Sequence, residues 1–261
     1  MKRIAETLII IVCIVVFTVS AVKLYQYYAE ANKEEDSYQN LRQLVEDSNL
    51  EPSEIAESDN QAVGETEVVE YRPDYQALYQ LNSDFVGWIY IEGTKIDYPV
   101  MQSLDSPNFY LKHDFYKEYS NYGCPYVQEN CEVASPSDNI IIYSHHMKNG
   151  SMFADLEKYK SLDFWKEHKI VHFDTLTEQS TYEILSVFKM SADENSGDIF
   201  KFYNFIDAVD EESFDKFIQE CKEISIYDTG VEAAFGDKII SLVTCEYSQE
   251  NGRMVVIAKK L

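Results

Sequence analysis

A mostly β domain with helical additions, set behind an apolar N-terminal segment, is predicted from three observations. Short runs rich in Ile, Val, Tyr and Thr, each closed by turn residues, fill most of the chain after residue 84. One helical period of apolar residues interrupts them late, between residues 210 and 224. Residues 7–22 form a charge-free apolar stretch with no counterpart downstream.

Taken in chain order, Lys2 and Arg3 precede TLIIIVCIVVFTVSAV, and Leu24 and Tyr25 lengthen that run toward the roughly 20 residues a helix needs to cross a bilayer. Positive charge on the N-terminal flank keeps that flank inside, which makes residues 1–6 cytoplasmic and residues 7–25 a signal-anchor, with the remainder extracellular. The pair Tyr27 and Tyr28 suits the membrane interface. A cleaved signal peptide is the competing reading, because Val19-Ser20-Ala21 resembles a small-residue cleavage site. Cys13, inside the apolar run, reads as a packing or lipid-facing residue.

Residues 26–74 are polar and acidic and cannot bury enough apolar area to offset chain entropy. They are expected to form a stalk, helical around 37–47 and loose over 48–70. A calcium site would need a D-x-D-x-D-G loop, which is absent, so the carboxylates read as a solvated face.

The folded domain is expected over 75–261. Strand-like runs occupy 86–93, 95–102, 139–146, 169–174, 180–190, 237–247 and 253–260. Glu92-Gly93-Thr94 predicts a hairpin between the first two. In DEESFDKFIQECKEI, Phe214, Phe217, Ile218, Cys221 and Ile224 recur at helical spacing behind an acidic first turn. That stripe must face the sheet, which makes Cys221 a buried structural thiol.

Composition excludes some functions. With 22 Lys+Arg against 46 Asp+Glu, the formal net charge is -24, which rules out nucleic-acid binding through phosphate neutralisation. Five scattered cysteines contain no C-x-x-C pair of the kind a zinc or redox centre shows. His113, His168 and His172 have no ligand spacing and read as structural. Cys124 and Cys131 flank a turn-prone segment, leaving a disulfide or two separate thiols open.

Chemistry is concentrated at three places. Cys245 ends a strand, the pair His145-His146 ends another, and Arg253 starts the strand after the cysteine. Alone, Cys245 would read as a small core residue. Together the three supply what a thiol nucleophile requires: an imidazole for proton traffic and a cation for a developing oxyanion. Side chains alternate along a strand, so only one of the two histidines can face the cysteine if the strand persists through both.

TCEYSQENGR resembles the active-site strand-loop-strand of sortases, exported cysteine transpeptidases of Gram-positive bacteria. YSHHMKNGSMF resembles their histidine motif, and VGWIYIEGTKIDYPVMQ, FYLKHDF and the late helix are similar to class B in particular. The resemblance runs over 75–261 and implies an eight-stranded sortase β-barrel with a helix inserted before the cysteine strand. It makes Cys245 the nucleophile, His145 the general acid/base and Arg253 the oxyanion or substrate-positioning cation; His146 then points to the loop as a supporting or solvated residue. Thr244, Tyr143 and Glu246 become substrate contacts. Two departures stand out: Ser144 replaces a common glycine, and GCPYVQENCE (123–132) differs from the usual sequence there.

The implied reaction needs no cofactor or metal. Partners would be secreted proteins carrying a C-terminal sorting signal, the amine of a peptidoglycan cross-bridge or its lipid-linked precursor, and the membrane through the N-terminal helix. Glu246 beside the cysteine would by itself raise the thiol pKa, so cations must counter it. The rival readings are a cysteine peptidase that hydrolyses the same thioacyl species and a non-catalytic membrane-anchored or pilus-associated module. An L,D-transpeptidase is disfavoured because the S/T-H-G-C arrangement is absent around Cys245.

Overall fold

The computed structural model describes residues 2–48, 72–191, 200–248 and 251–261. Packing divides the chain into Met1–Gln43 and Leu44–Leu261. The first unit is built from α1 (Lys2–Ser48), whose apolar side chains between Ile9 and Val22 are exposed. This helix is long and apolar enough to cross a membrane. Helical conformation continues without a break from the apolar stretch through the stretch expected to be helical at 37–47. The loose stalk expected over 48–70 lies, from residue 49 on, outside the described residues.

Within the second unit the described residues resume at Arg72. Its amide donates to Leu176 O at 2.8 Å, and its guanidinium pairs with Asp74 and Asp174 and lies 4.4 Å over the Tyr75 ring. Pro73 at the first turn then starts α2 (Pro73–Leu81), where a missing N–H costs nothing.

Eight strands follow: β1 (Phe85–Tyr90), β2 (Asp97–Met101), β3 (Tyr126–Val127), β4 (Asn139–Tyr143), β5 (Ile170–Thr175), β6 (Thr181–Ser191), β7 (Ile239–Glu246) and β8 (Gly252–Lys260). They close into a barrel in the order β1-β2-β3-β4-β7-β8-β6-β5, which leaves no free sheet edge. Two pairings are parallel, β2 with β3 and β4 with β7, and the others are antiparallel. The expected hairpin joins β1 and β2, with Gly93 at φ 74°, where a side chain would also strike the His168 ring.

All seven predicted runs form strands. The eighth, β3, is two residues long and has no sequence period to reveal it; it occupies the segment 123–132. β4 stops at Tyr143, so both histidines lie beyond the strand predicted to contain them. A 3₁₀ helix (Phe153–Lys160) and α3 (Leu162–Glu167) cross from β4 to β5.

Between β6 and β7 stands α4 (Glu211–Glu223), opened by a capping box of Asp210 and Ser213. Phe214, Phe217, Ile218 and Cys221 are buried as the spacing predicts. Ile224 is not: it forms the C-cap and is 41% exposed, because the helix ends one residue short of completing the stripe. Ser186 of β6 donates to Cys221 O, and Ile226 N donates to Val187 O, tying the helix to β6. Burial raises the Cys221 thiol pKa, the mark of an inert thiol.

Cys124 and Cys131 are separate buried thiols, resting against Pro99 O and Asn139 O. His113 stacks on Phe109, His172 stacks on Tyr90, and His168 bonds Glu92 O, so each has a structural partner.

Gly87 pairs with Val100 on one side and Thr175 on the other, and a Cβ there would lie 2.3 Å from Asp174 O. The obstacle is the β5 backbone itself, with the Phe173 ring 3.0 Å away, and a strand paired in a closed barrel has little room to yield. Urea denaturation of Gly87→Ala should show a loss of roughly 3 kcal/mol, at the upper end of the cost of overpacking.

Candidate active site

Strand register decides which side chains meet. In the antiparallel pair β7–β8, Cys245 lies directly opposite Arg253, so the two side chains leave the same face of the sheet. In the parallel pair β4–β7 the last partners are Tyr143 and Val243. His145 stands two residues past the end of β4, beside the end of β7 that carries Cys245. His145, Cys245 and Arg253 thus lie in a row of chain positions at one end of three neighbouring strands, and all three residues are half-buried.

His145 Nε2 lies 2.7 Å from Leu111 O, in the loop before β3. A carbonyl only accepts, so Nε2 carries the hydrogen and Nδ1 is the basic nitrogen. Burial pushes the His145 pKa below the usual imidazole value; the Leu111 bond opposes this and the charge of Lys112 adds to it. His145 is therefore neutral at neutral pH and able to accept a proton. His146 turns the other way: its Nδ1 donates to Cys245 O at 3.1 Å. Arg253 Nη1 donates to Gly252 O at 2.9 Å and Asn251 O at 3.3 Å, which folds the guanidinium back along its own strand.

Two tyrosines that sequence reasoning missed border this row. Tyr126 pairs with Tyr143 across β3–β4, and their rings are 5.7 Å apart. Its hydroxyl pKa is raised, chiefly by burial, and it feels both the positive charge of Arg253 and the thiolate form of Cys245. Tyr247, 69% exposed, is likewise within electrostatic reach of Cys245 and Arg253. Tyr126 had no signal in the sequence, because β3 is too short to read. Tyr247, two residues after the cysteine, could have been found from alternation, which returns its side chain toward the face of Cys245.

The three expected substrate contacts separate. Tyr143 is half-buried and donates to Gln128 Oε1 at 2.7 Å. Thr244, 2% exposed, points its hydroxyl at Ser144 O, 2.9 Å away. Glu246 is closed to solvent, with its side chain 1% exposed and ion-paired to Lys160, which also reaches Glu157. Its second oxygen accepts from Ser248 N at 3.0 Å and Ser248 Oγ at 2.7 Å. Thr244 and Glu246 offer no side-chain surface to a ligand, and the reason is alternation: both flank Cys245 in sequence and so leave the opposite face. Burial alone would raise the Glu246 pKa, but Lys160 and Ser248 outweigh it and hold the carboxyl at about 2. The negative charge beside the cysteine is thereby compensated from behind.

Ser144 is not among the residues with positive φ, so no glycine-only backbone is needed there. Its Oγ is buried without a hydrogen-bond partner. Among the described residues, no group of three or more His, Cys, Asp or Glu side chains could hold a metal ion.

Comparison with known proteins gives the family. Residues 89–261 match the sortase domain family. The chain is 30% identical to sortase B of Staphylococcus aureus over 261 residues, covering 99% of this chain and 97% of that one. It is 34% identical to sortase B of Listeria monocytogenes over 192 residues, 73% and 75% of the two chains. The solved complex of S. aureus sortase B with a substrate superposes with a TM-score of 0.74 at 28% identity, covering 89% of this chain and 98% of that one.

Because Glu246 keeps its charge in the fold, its contribution to stability is complete above pH 4.5 and is lost as pH falls from there through about 2. Glu246→Gln should flatten the acid limb of a stability-versus-pH curve in that window. Lys160→Met at pH 7 strands the buried carboxylate, and denaturation should show a loss of roughly 2–3 kcal/mol, reduced from the fully buried case by the partial exposure of Lys160.

Proposed function

The chain belongs to the sortase family, as a class B member and a cysteine transpeptidase, and from that premise we propose the residues, substrate and acceptor of its reaction. Cys245 is the nucleophile, His145 the general acid/base and Arg253 the oxyanion cation. The observation that supports this most is the pairing of Cys245 with Arg253 across β7–β8, with His145 just past the end of the neighbouring β4.

The substrate is a secreted protein with a C-terminal sorting signal, cleaved after Thr. Neutral His145 takes the Cys245 proton on Nδ1 as sulfur attacks the threonine carbonyl. The carbonyl π pair moves to oxygen, where Arg253 opposes the developing charge. Collapse breaks the C–N bond, His145 returns its proton to the leaving amine, and a thioacyl enzyme remains. An amine of the peptidoglycan cross-bridge, or of its lipid-linked precursor, then attacks; His145 takes its proton and gives it to the departing sulfur. A new amide forms and the thiol is restored.

Tyr143, Tyr126 and Tyr247 form the aromatic border against which the signal peptide lies. The N-terminal helix anchors the protein with Lys2 and Arg3 inside and the barrel outside. Holding the site at the membrane concentrates it near both a translocating substrate and a lipid-linked acceptor.

The test is incubation of the full-length protein with sorting-signal peptides, with and without an amine acceptor, read by mass spectrometry. Wild type should carry a thioacyl adduct that an amine converts to an amide product, and Cys245→Ala should form neither. Adducts resolved only by water would instead support the peptidase reading, and a function untouched in Cys245→Ala would support the non-catalytic module. Arg253→Ala should lower kcat/KM by roughly 10²–10³-fold, the scale of losing an oxyanion donor. Arg253→Lys should recover little, because an ammonium cannot reproduce the planar fork.

A further inference from the structure

Backbone pairing between β4 and β7 ends where Ser144 N donates to Val243 O at 3.1 Å. The two segments stay joined past that point, but through side chains. Thr244 Oγ1 donates to Ser144 O at 2.9 Å, His146 Nδ1 donates to Cys245 O at 3.1 Å, and Tyr247 Oη donates to His146 O at 3.0 Å. The last two bonds are reciprocal. His146 gives its ring N–H to the carbonyl of the cysteine residue and receives the Tyr247 hydroxyl on its own carbonyl. The two rings lie against each other, with centroids 5.1 Å apart.

Phe153 N donates to His145 O at 2.9 Å, so the three successive carbonyls of Ser144, His145 and His146 each accept a bond. The peptide plane before His145 is therefore held by Thr244 of β7, the plane after it by Phe153 of the 3₁₀ helix, and the next one by Tyr247 just past β7. We infer that His146 and Tyr247 form a clasp that sets the separation of the His145 imidazole from the Cys245 thiol, acting as positioning residues. This rests on the roles of Cys245 and His145 proposed above. Tyr247 is 69% exposed, so its bond adds little to overall stability, and its value lies in geometry.

The test compares full-length wild type with His146→Leu, His146→Asn and Tyr247→Phe. Asparagine places an amide N–H near the position of Nδ1, whereas leucine keeps bulk without a donor. His146→Leu should lower kcat roughly tenfold or more while KM stays within about twofold and Tm is unchanged, the signature of small misplacement of reacting groups. His146→Asn should recover most of that loss, and Tyr247→Phe should show the same split at smaller size.

A second measurement needs no peptide turnover: the rate of iodoacetamide alkylation at Cys245, followed by mass spectrometry of the peptide that carries it. Slower alkylation in His146→Leu, restored in His146→Asn, is expected, since the imidazole sets thiol reactivity. Equal alkylation in wild type and His146→Leu overturns the clasp, as does a loss that asparagine fails to restore. A wild type that alkylates normally but processes no sorting-signal peptide would count against the functional reading, and the alkylation comparison would still decide the clasp.

Discussion

Everything at the reactive end depends on one constraint, the register of three strands. Cys245 and Arg253 meet because β7 and β8 pair antiparallel with those residues opposite, and the His145 segment leaves β4 at the same end because β4 runs parallel to β7. A slip of one residue in either ladder would turn the cysteine away from its partners and put Thr244 or Glu246 in its place. The closed barrel resists such a slip, since every strand is held on both sides.

Alternation along β7 also divides labour between two faces. Cys245 shares its face with Arg253, and its neighbours Thr244 and Glu246 face away and brace the strand end. Thr244 secures the chain before the histidine, and Glu246 secures the turn after the cysteine through Ser248 while leaning on Lys160 of the 3₁₀ helix. A buried carboxylate next to a nucleophilic thiol would oppose thiolate formation if it stood uncompensated. Pairing it with a lysine keeps its hydrogen-bonding capacity and offsets its charge.

Much of the fold was legible because barrel strands leave a local trace. Val- and Ile-rich runs gave seven of the eight strands, and a period of 3.6 gave α4. β3 left no trace, since two residues carry no period and their pairing with Met101 and Tyr143 is long-range. Cys245, His145 and Arg253 could be picked out by residue type and motif, and the pairing of Cys245 with Arg253 depends on a register no local pattern encodes. The side chains of Glu246 and Thr244, expected at the substrate, are buried on the other face, where alternation along β7 already assigned them. Ile224 was misread because periodicity does not mark the residue at which a helix stops.

Tyr143 and Val243, the last partners of the parallel ladder, are separated by a hundred positions in the chain. Local contacts can build the β1–β2 hairpin and α4 early, but this pairing must first meet the entropy of closing a very long loop. β8 follows every other strand and completes the barrel by pairing with both β6 and β7. Cys245 and Arg253 are therefore brought opposite each other only by the last strand of the chain. The proposed site is an assembly of distant segments, complete only when the barrel itself has closed.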